Sequence, residues 1–191
     1  MSTGPNTLDE LEKTLPKAYY LDPKHFDLER ASILQKEWFC VGRTASLNAT
    51  GDYLACRVAG ESILIVRGEA GVLNAFYNVC RHRGAELVPL PDDQIVRGQF
   101  NRAIVCPYHA WRYQFDGAFR GAPHLNLKPG VTQLHPISVE SWGGFLFVKL
   151  AGTAGSLLDA LGEGAHRINR YPLADLEVAA SIEYRVAANW K

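Results

Sequence analysis

The chain has no excess of either charge sign: 20 Lys and Arg stand against 20 Asp and Glu in 191 residues. That balance excludes the basic footprint of a nucleic-acid binder and the acidic tail of a solvating segment. Long apolar runs are also missing. None approaches the roughly 18 residues of a membrane span. Met1–Leu15 is polar, with Pro5, Asp9, Glu10, Glu12 and Lys13, which is not a secretory signal. Four cysteines, two of them in apolar or strand-like contexts at Cys40 and Cys56, make no disulfide framework. These absences predict no membrane and no nucleic-acid partner. They also predict a reducing compartment, the cytoplasm. What the chain does have is 47% hydrophobic residues, enough for a core, with no internal repeat or low-complexity tract.

Its organisation reads as a lead-in followed by many short strands. Residues 1–16 read as loose. Asp22-Pro23 opens a helix to about Trp38, because Pro suits a first helical turn. Phe26, Ile33, Leu34 and Trp38 can share one face of it, so it should dock on a body. Strands are expected at Asp52–Val58, Ser62–Arg67, Val72–Tyr77, Gln99–Cys106, Trp111–Phe115, Phe145–Leu150 and Ser181–Val186. Ala59-Gly60-Glu61, Gly68-Glu69-Ala70-Gly71 and Asp116-Gly117 separate them with turn chemistry. Thr153–Asn169 reads as a second helix. The class is mainly β: an antiparallel sandwich or barrel with an N-terminal helix. Cys40 and Cys56 read as buried small hydrophobes, and Trp38, Phe39, Trp142, Phe145 and Phe147 as core. Gly143-Gly144 reads as a turn before a core strand, since no helix with phosphate-loop spacing follows it.

Chemistry concentrates in two segments, Cys80-Arg-His82-Arg83-Gly84 and Cys106-Pro-Tyr108-His109-Ala-Trp111. Each offers one thiolate and one imidazole, as Cys-x-His and Cys-x-x-His, on two finger-like loops at strand ends. Two cysteines and two histidines suit a Rieske [2Fe-2S] centre, in which one iron takes both sulfurs and the other both imidazoles. They also suit tetrahedral zinc, although zinc sites more often pair Cys with Cys and His with His. Gly84 lets the chain turn closely past the site, and Trp111 is placed to shield it from water. Arg81 and Arg83 flank His82, where they are either surface charges or groups that neutralise the centre and orient an acidic donor.

With the residues that follow, Tyr113 and Asp116-Gly117, these segments resemble the Rieske domain of ring-hydroxylating, or Rieske non-haem iron, oxygenases. Glu37–Arg43, Gly51-Asp52-Tyr53, Tyr171-Pro172-Leu173 and Ala188-Asn189-Trp190-Lys191 extend the resemblance to about residues 18–191. It implies residues 1–40 as an extension and helix, 41–180 as a Rieske domain with two cluster-binding fingers, and 181–191 as the start of a catalytic domain. Cys80, His82, Cys106 and His109 would ligate the cluster, with Arg83, Tyr108 and Trp111 around them. The implied role is electron relay from a ferredoxin or flavin reductase to a mononuclear Fe(II). That iron sits in the catalytic domain of a neighbouring subunit of a homotrimer and serves O2-dependent hydroxylation or demethylation. The ending resembles members acting on quaternary ammonium compounds. The alternative is a stand-alone Rieske ferredoxin-type carrier or a redox-sensing module.

Departures from the family qualify that expectation. His82 and Cys106 are 23 residues apart, longer than usual, and Val88–Gln94 reads as a turn-rich surface excursion that holds the surplus. The oxygen-activating iron needs two His and a carboxylate. The remaining histidines, His25, His124, His135 and His166, are widely spaced, and Glu163-x-x-His166 reads as solvated surface, so no catalytic residue is expected within these 191 residues and the chain alone should not oxygenate. High-potential Rieske proteins add a disulfide beside the cluster and a serine hydroxyl to its sulfur. Ala85, Tyr108 and Trp111 stand at those places here. A potential near the low end of about −150 to +300 mV is expected. The outer imidazoles should bind protons more tightly after reduction.

Overall fold

Four consecutive aliphatic residues, Ile63-Leu64-Ile65-Val66, explain the architecture. Neighbouring residues of a strand point to opposite faces, so a strand apolar on every residue must be covered on both. In the computed structural model, which describes residues 13–91, 94–123, 125–152, 155–180 and 182–191, all four are fully buried. Ile63 and Ile65 enter one hydrophobic cluster with Leu54, Cys56, Val41, Leu146 and Val148. Leu64 and Val66 enter a second with Phe76, Cys80, Ile104, Cys106, Tyr113 and Phe119. The strand is the wall between a β core and the finger region.

Ten strands occur in the described residues. β1 (Phe39–Arg43), β2 (Asp52–Val58), β3 (Glu61–Arg67), β4 (Leu73–Tyr77), β5 (Val96–Gln99), β9 (Pro136–Trp142) and β10 (Phe145–Lys149) form one antiparallel sheet in the order β1-β10-β9-β4-β3-β2-β5. β6 (Ile104–Val105), β7 (Arg112–Tyr113) and β8 (Phe119–Gly121) form a small second sheet. The large sheet folds over itself at β9. Ile137 pairs with Ala75 of β4, whereas Ser138 to Trp142 pair with β10. The β9–β10 hairpin turns at Gly143-Gly144, both at positive φ, the two-residue geometry that matches strand twist. A β-carbon on Gly144 would lie 2.8 Å from the Ala174 backbone, so the turn also gives the later chain room to pass.

The expected mainly β class holds, with several differences in detail. The expected strand Gln99–Cys106 is two, β5 and β6. The chain leaves β2 after Gln99 and crosses to the small sheet, where Ile104 pairs with Tyr113. The expected N-terminal helix is α1 (Ala18–Leu21), α2 (Pro23–Glu29) and a π-helical turn over Arg30–Leu34, with the Asp22 side chain capping Lys24 N–H at 2.9 Å. Phe26 and Ile33 remain exposed, and only Leu34 and Trp38, at its end, are half-buried. Trp38 lies under Lys149 Nζ, 5.8 Å from the ring centroid. The second helix is α3 (Leu157–Leu161) and α4 (Glu163–Ile168), broken at Gly162, where φ is +47°. Its expected start, Thr153, lies outside the described residues.

Other differences follow from strand geometry. Cys40 is exposed, because β1 turns Val41 inward and Cys40 outward. Trp38, Phe39, Trp142, Phe145 and Phe147 are half-buried at the rim. Of Ser181–Val186, Ser181 is outside the described residues and 182–186 forms no strand. Ile182, Tyr184 and Val186 are each about three-quarters exposed, with no neighbouring strand among the described residues. The chain's last residues instead return to the N-terminal helices. Asn189 Nδ2 donates to Tyr20 O at 2.8 Å, Trp190 Nε1 to Glu29 Oε2 at 3.0 Å, and Lys191 pairs with the same carboxylate.

Candidate metal centre

Two loops of the same hydrogen-bond design carry the four candidate ligands. In the first, Cys80 N–H donates to Ala85 O at 2.8 Å and Gly84 N–H to Cys80 O at 3.0 Å. In the second, Cys106 N–H donates to Trp111 O at 2.8 Å and Ala110 N–H to Cys106 O at 3.0 Å. The residue four after each cysteine is left-handed: Gly84 at φ +71° and Ala110 at φ +54°. A β-carbon at Gly84 would meet nothing within 4 Å, so backbone conformation, not space, favours glycine there. Ala110 adopts the same conformation with a β-carbon, at a cost of about 1 kcal/mol. The two fingers are thus structural repeats, although their sequences differ.

The loops bring like donors together. Cys80 and Cys106 are 2% and 3% exposed, and their thiols lie near enough for each to act on the other's charge. The His82 and His109 rings lie 4.7 Å apart between centroids, edge to face. Burial raises the Cys80 thiol from its ordinary value. The Tyr113 hydroxyl and the His82 N–H oppose that rise, and the neighbouring Cys106 adds to it. Burial, then His109 and Arg83, hold His82 below the ordinary imidazole value, which keeps it neutral and able to ligate. His82 Nδ1 is buried without a hydrogen-bond partner among the described residues. An orphaned buried nitrogen costs about 1–3 kcal/mol unless something bonds it, and a metal would.

Paired donors also separate the two metals that the ligand set allows. Tetrahedral zinc needs all four donors on one point at about 2.0–2.3 Å. Among the described residues no three His, Cys, Asp or Glu side chains converge on one such point. A sulfur pair beside an imidazole pair fits a two-iron cluster instead.

The surroundings were partly expected. Trp111 stacks on the His82 ring at 4.8 Å, 5° from parallel, and is itself backed by Phe119 at 4.8 Å. Tyr108 is 62% exposed and leans on His109 at 3.8 Å. Arg83 is exposed at the fingertip, where its charge reaches His82. Arg81 pairs with His135, while His25 and His166 lie away from the fingers and His124 is outside the described residues.

Two contacts escaped sequence reasoning, which named Tyr113 only within the motif after the second finger and Asn78 not at all. Tyr113, fully buried, places its hydroxyl 3.2 Å from Cys80 Sγ and accepts the Arg81 N–H at 3.0 Å. Asn78, 1% exposed, donates to Val88 O at 2.7 Å and Ser62 Oγ at 3.0 Å, and accepts from Val88 N–H at 3.0 Å. These contacts correct the expected surface excursion at Val88–Gln94: Leu87, Val88 and Leu90 are buried in the finger core. Asp92 and Asp93 lie outside the described residues. A polar residue directly before a ligand-bearing loop was the available signal for Asn78.

Fold and site together define a small antiparallel β protein built around paired Cys/His fingers. Residues 37–135, just over half of the chain, match the Rieske [2Fe-2S] domain family. The chain belongs to that family, whose [2Fe-2S] cluster the residues present fit. The oxygenase subunit of carnitine monooxygenase from Escherichia coli K12 is 37% identical over 184 residues, which cover 93% of this chain and 48% of that protein. The oxygenase subunit of glycine betaine monooxygenase from Chromohalobacter salexigens is 36% identical over 94% of this chain and 40% of that protein. The quaternary ammonium Rieske monooxygenase CntA bound to L-carnitine superposes with a TM-score of 0.78 at 35% identity, over 87% of this chain and 47% of that one. The chain spans about half the length of the curated relatives it matches. No helix among the described residues is long and apolar enough to cross a membrane.

Proposed function

We propose that Cys80 and Cys106 hold one iron and His82 and His109 the other, and that the chain serves as the electron-relay domain of a multicomponent oxygenase. The carrying observation is the sulfur pair beside the imidazole pair on twin loops, with His82 Nδ1 buried and without a hydrogen-bond partner among the described residues. The cluster, when bound, supplies one-electron transfer at a tuned potential. The chain's own residues set its surroundings: Tyr113 donates to sulfur, Trp111 covers His82, and the exposed His109 and Tyr108 face outward, where a partner can approach.

Residues 41–180 form the relay domain in this reading, 1–40 its lead-in, and 181–191 the passage toward a catalytic domain. Electrons come from a ferredoxin or flavin reductase. They pass to a mononuclear non-haem iron held by a neighbouring subunit of a trimer in the cytoplasm. The carnitine and glycine betaine relatives support an O2-dependent hydroxylation or demethylation of a quaternary ammonium compound. Anaerobic reconstitution with iron and sulfide tests the assignment. A red-brown protein with reduced-state g values averaging well below the free-electron value is expected. Colourless protein that retains only zinc overturns it.

A further inference from the structure

Charge is not spread evenly over this neutral chain. Residues 95–122 hold Arg97, Arg102, Arg112 and Arg120, no lysine, and a single acid, Asp116. Three of these arginines meet on the outer side of the small sheet. Adjoining concavities of about 320 and 450 Å³ share Arg112 and Arg120, and the larger adds Arg102. Among the described residues no acid lines either one. Glu69 and Asp116 line a third concavity, of about 560 Å³, which Arg102 and Arg120 also line. Arg120 Nη1 donates to Arg102 O at 2.7 Å, which fixes its guanidinium in place. Among the described residues none of the three forms a salt bridge.

The location gives this surface a meaning. Arg112 follows Trp111 and pairs across the hairpin with Val105, the residue before Cys106. A partner seated on these guanidinium groups therefore lies against the finger that carries Cys106 and His109. Transient electron-transfer partners bind through small interfaces steered by complementary charge. A polyanion would gain nothing from closeness to the centre.

We propose that Arg102, Arg112 and Arg120 form the docking face for an acidic electron-transfer protein. The proposal rests on the electron-relay reading above. Reduction of the reconstituted protein by a reduced acidic [2Fe-2S] ferredoxin, followed by stopped flow, tests it, with dithionite as the small-molecule control. The double variant Arg112→Glu/Arg120→Glu should slow reduction by ferredoxin by about tenfold or more at low ionic strength. The gap should close toward about 0.5 M salt, where the screening length falls below one residue pair. Reduction by dithionite should be unchanged, and Arg112→Lys/Arg120→Lys should restore most of the rate. Unchanged ferredoxin kinetics, equal slowing with dithionite, or a loss seen only with Arg83→Glu at the fingertip overturns the docking face. So does heparin binding that the double variant abolishes while ferredoxin reduction persists. A wild-type protein that takes no electron from dithionite overturns the relay reading and the docking face together.

Discussion

The Tyr113 hydroxyl stands 3.2 Å from Cys80 Sγ while its oxygen accepts the Arg81 N–H at 3.0 Å. With that lone pair engaged by a donor, the phenolic proton is directed at the sulfur, a thiolate once it binds iron. A donor to sulfur stabilises the added electron and raises the potential. The low potential expected from Ala85, Tyr108 and Trp111 did not count this hydroxyl. Tyr113→Phe removes it without changing the packing. For a bond of about 0.5–1.5 kcal/mol, the potential should fall by about 20–60 mV. Protein-film voltammetry measures it, and an unchanged potential contradicts the assigned role.

Asn78 ties the start of the first finger to Val88. Replacing it with Ala leaves the Val88 N–H and C=O buried and unpaired. The cost should be about 2–4 kcal/mol, two orphaned groups partly relieved by water. Urea unfolding of the apo protein measures it. The variant should also lose iron faster to a chelator, since Cys80 lies two residues beyond Asn78.

Cys40 and Cys56 should behave oppositely. Burial pushes the Cys56 thiol from 9.0 up to about 11. Iodoacetamide at pH 8 should therefore modify Cys40 in the folded holo protein and leave Cys56 untouched. The same shift has a sign for stability. The folded state keeps its proton where the unfolded state has lost it, so this contribution is intact below pH 9 and lost as pH rises through about 11. Its full size is about 2–3 kcal/mol. Cys56→Ala should show a shallower alkaline loss of stability than the parent.

Glu29 receives Trp190 Nε1 and pairs with Lys191. Those hydrogen bonds hold its carboxyl below the ordinary value of 4.5. The contribution is present above that value and disappears as pH falls through the lowered one. Glu29→Gln should free the final residues at neutral pH, and limited proteolysis should then cut within 177–188 faster than in the parent. Equal cutting rates would show that the clasp does not hold the segment.

Much of this was legible in the chain, for physical reasons. Asp52–Val58 was read to the residue because Gly51 before it and Ala59-Gly60 after it, all at positive φ, bound it with turn chemistry. The Cys/His pairs were legible because ligand chemistry tolerates few residue types. Three strands were not. β8 is only three residues long, β9 opens on a proline and changes partner midway, and β1 alternates weakly at a sheet edge. Pro89 and Pro91 made Val88–Gln94 look like surface, yet they alternate with Val88 and Leu90, which point inward. Tyr113 was legible only as part of the motif, since its hydroxyl gains meaning only when the second finger folds against the first.

Electron relay by this chain depends on ligation by Cys80, His82, Cys106 and His109. Pulsed EPR of the reduced, reconstituted protein carrying ¹⁵N-histidine tests it directly. Two directly coordinated histidine nitrogens are predicted, one of which disappears in His82→Cys and one in His109→Cys. A cluster with no histidine coupling, or couplings that survive both substitutions, would contradict it.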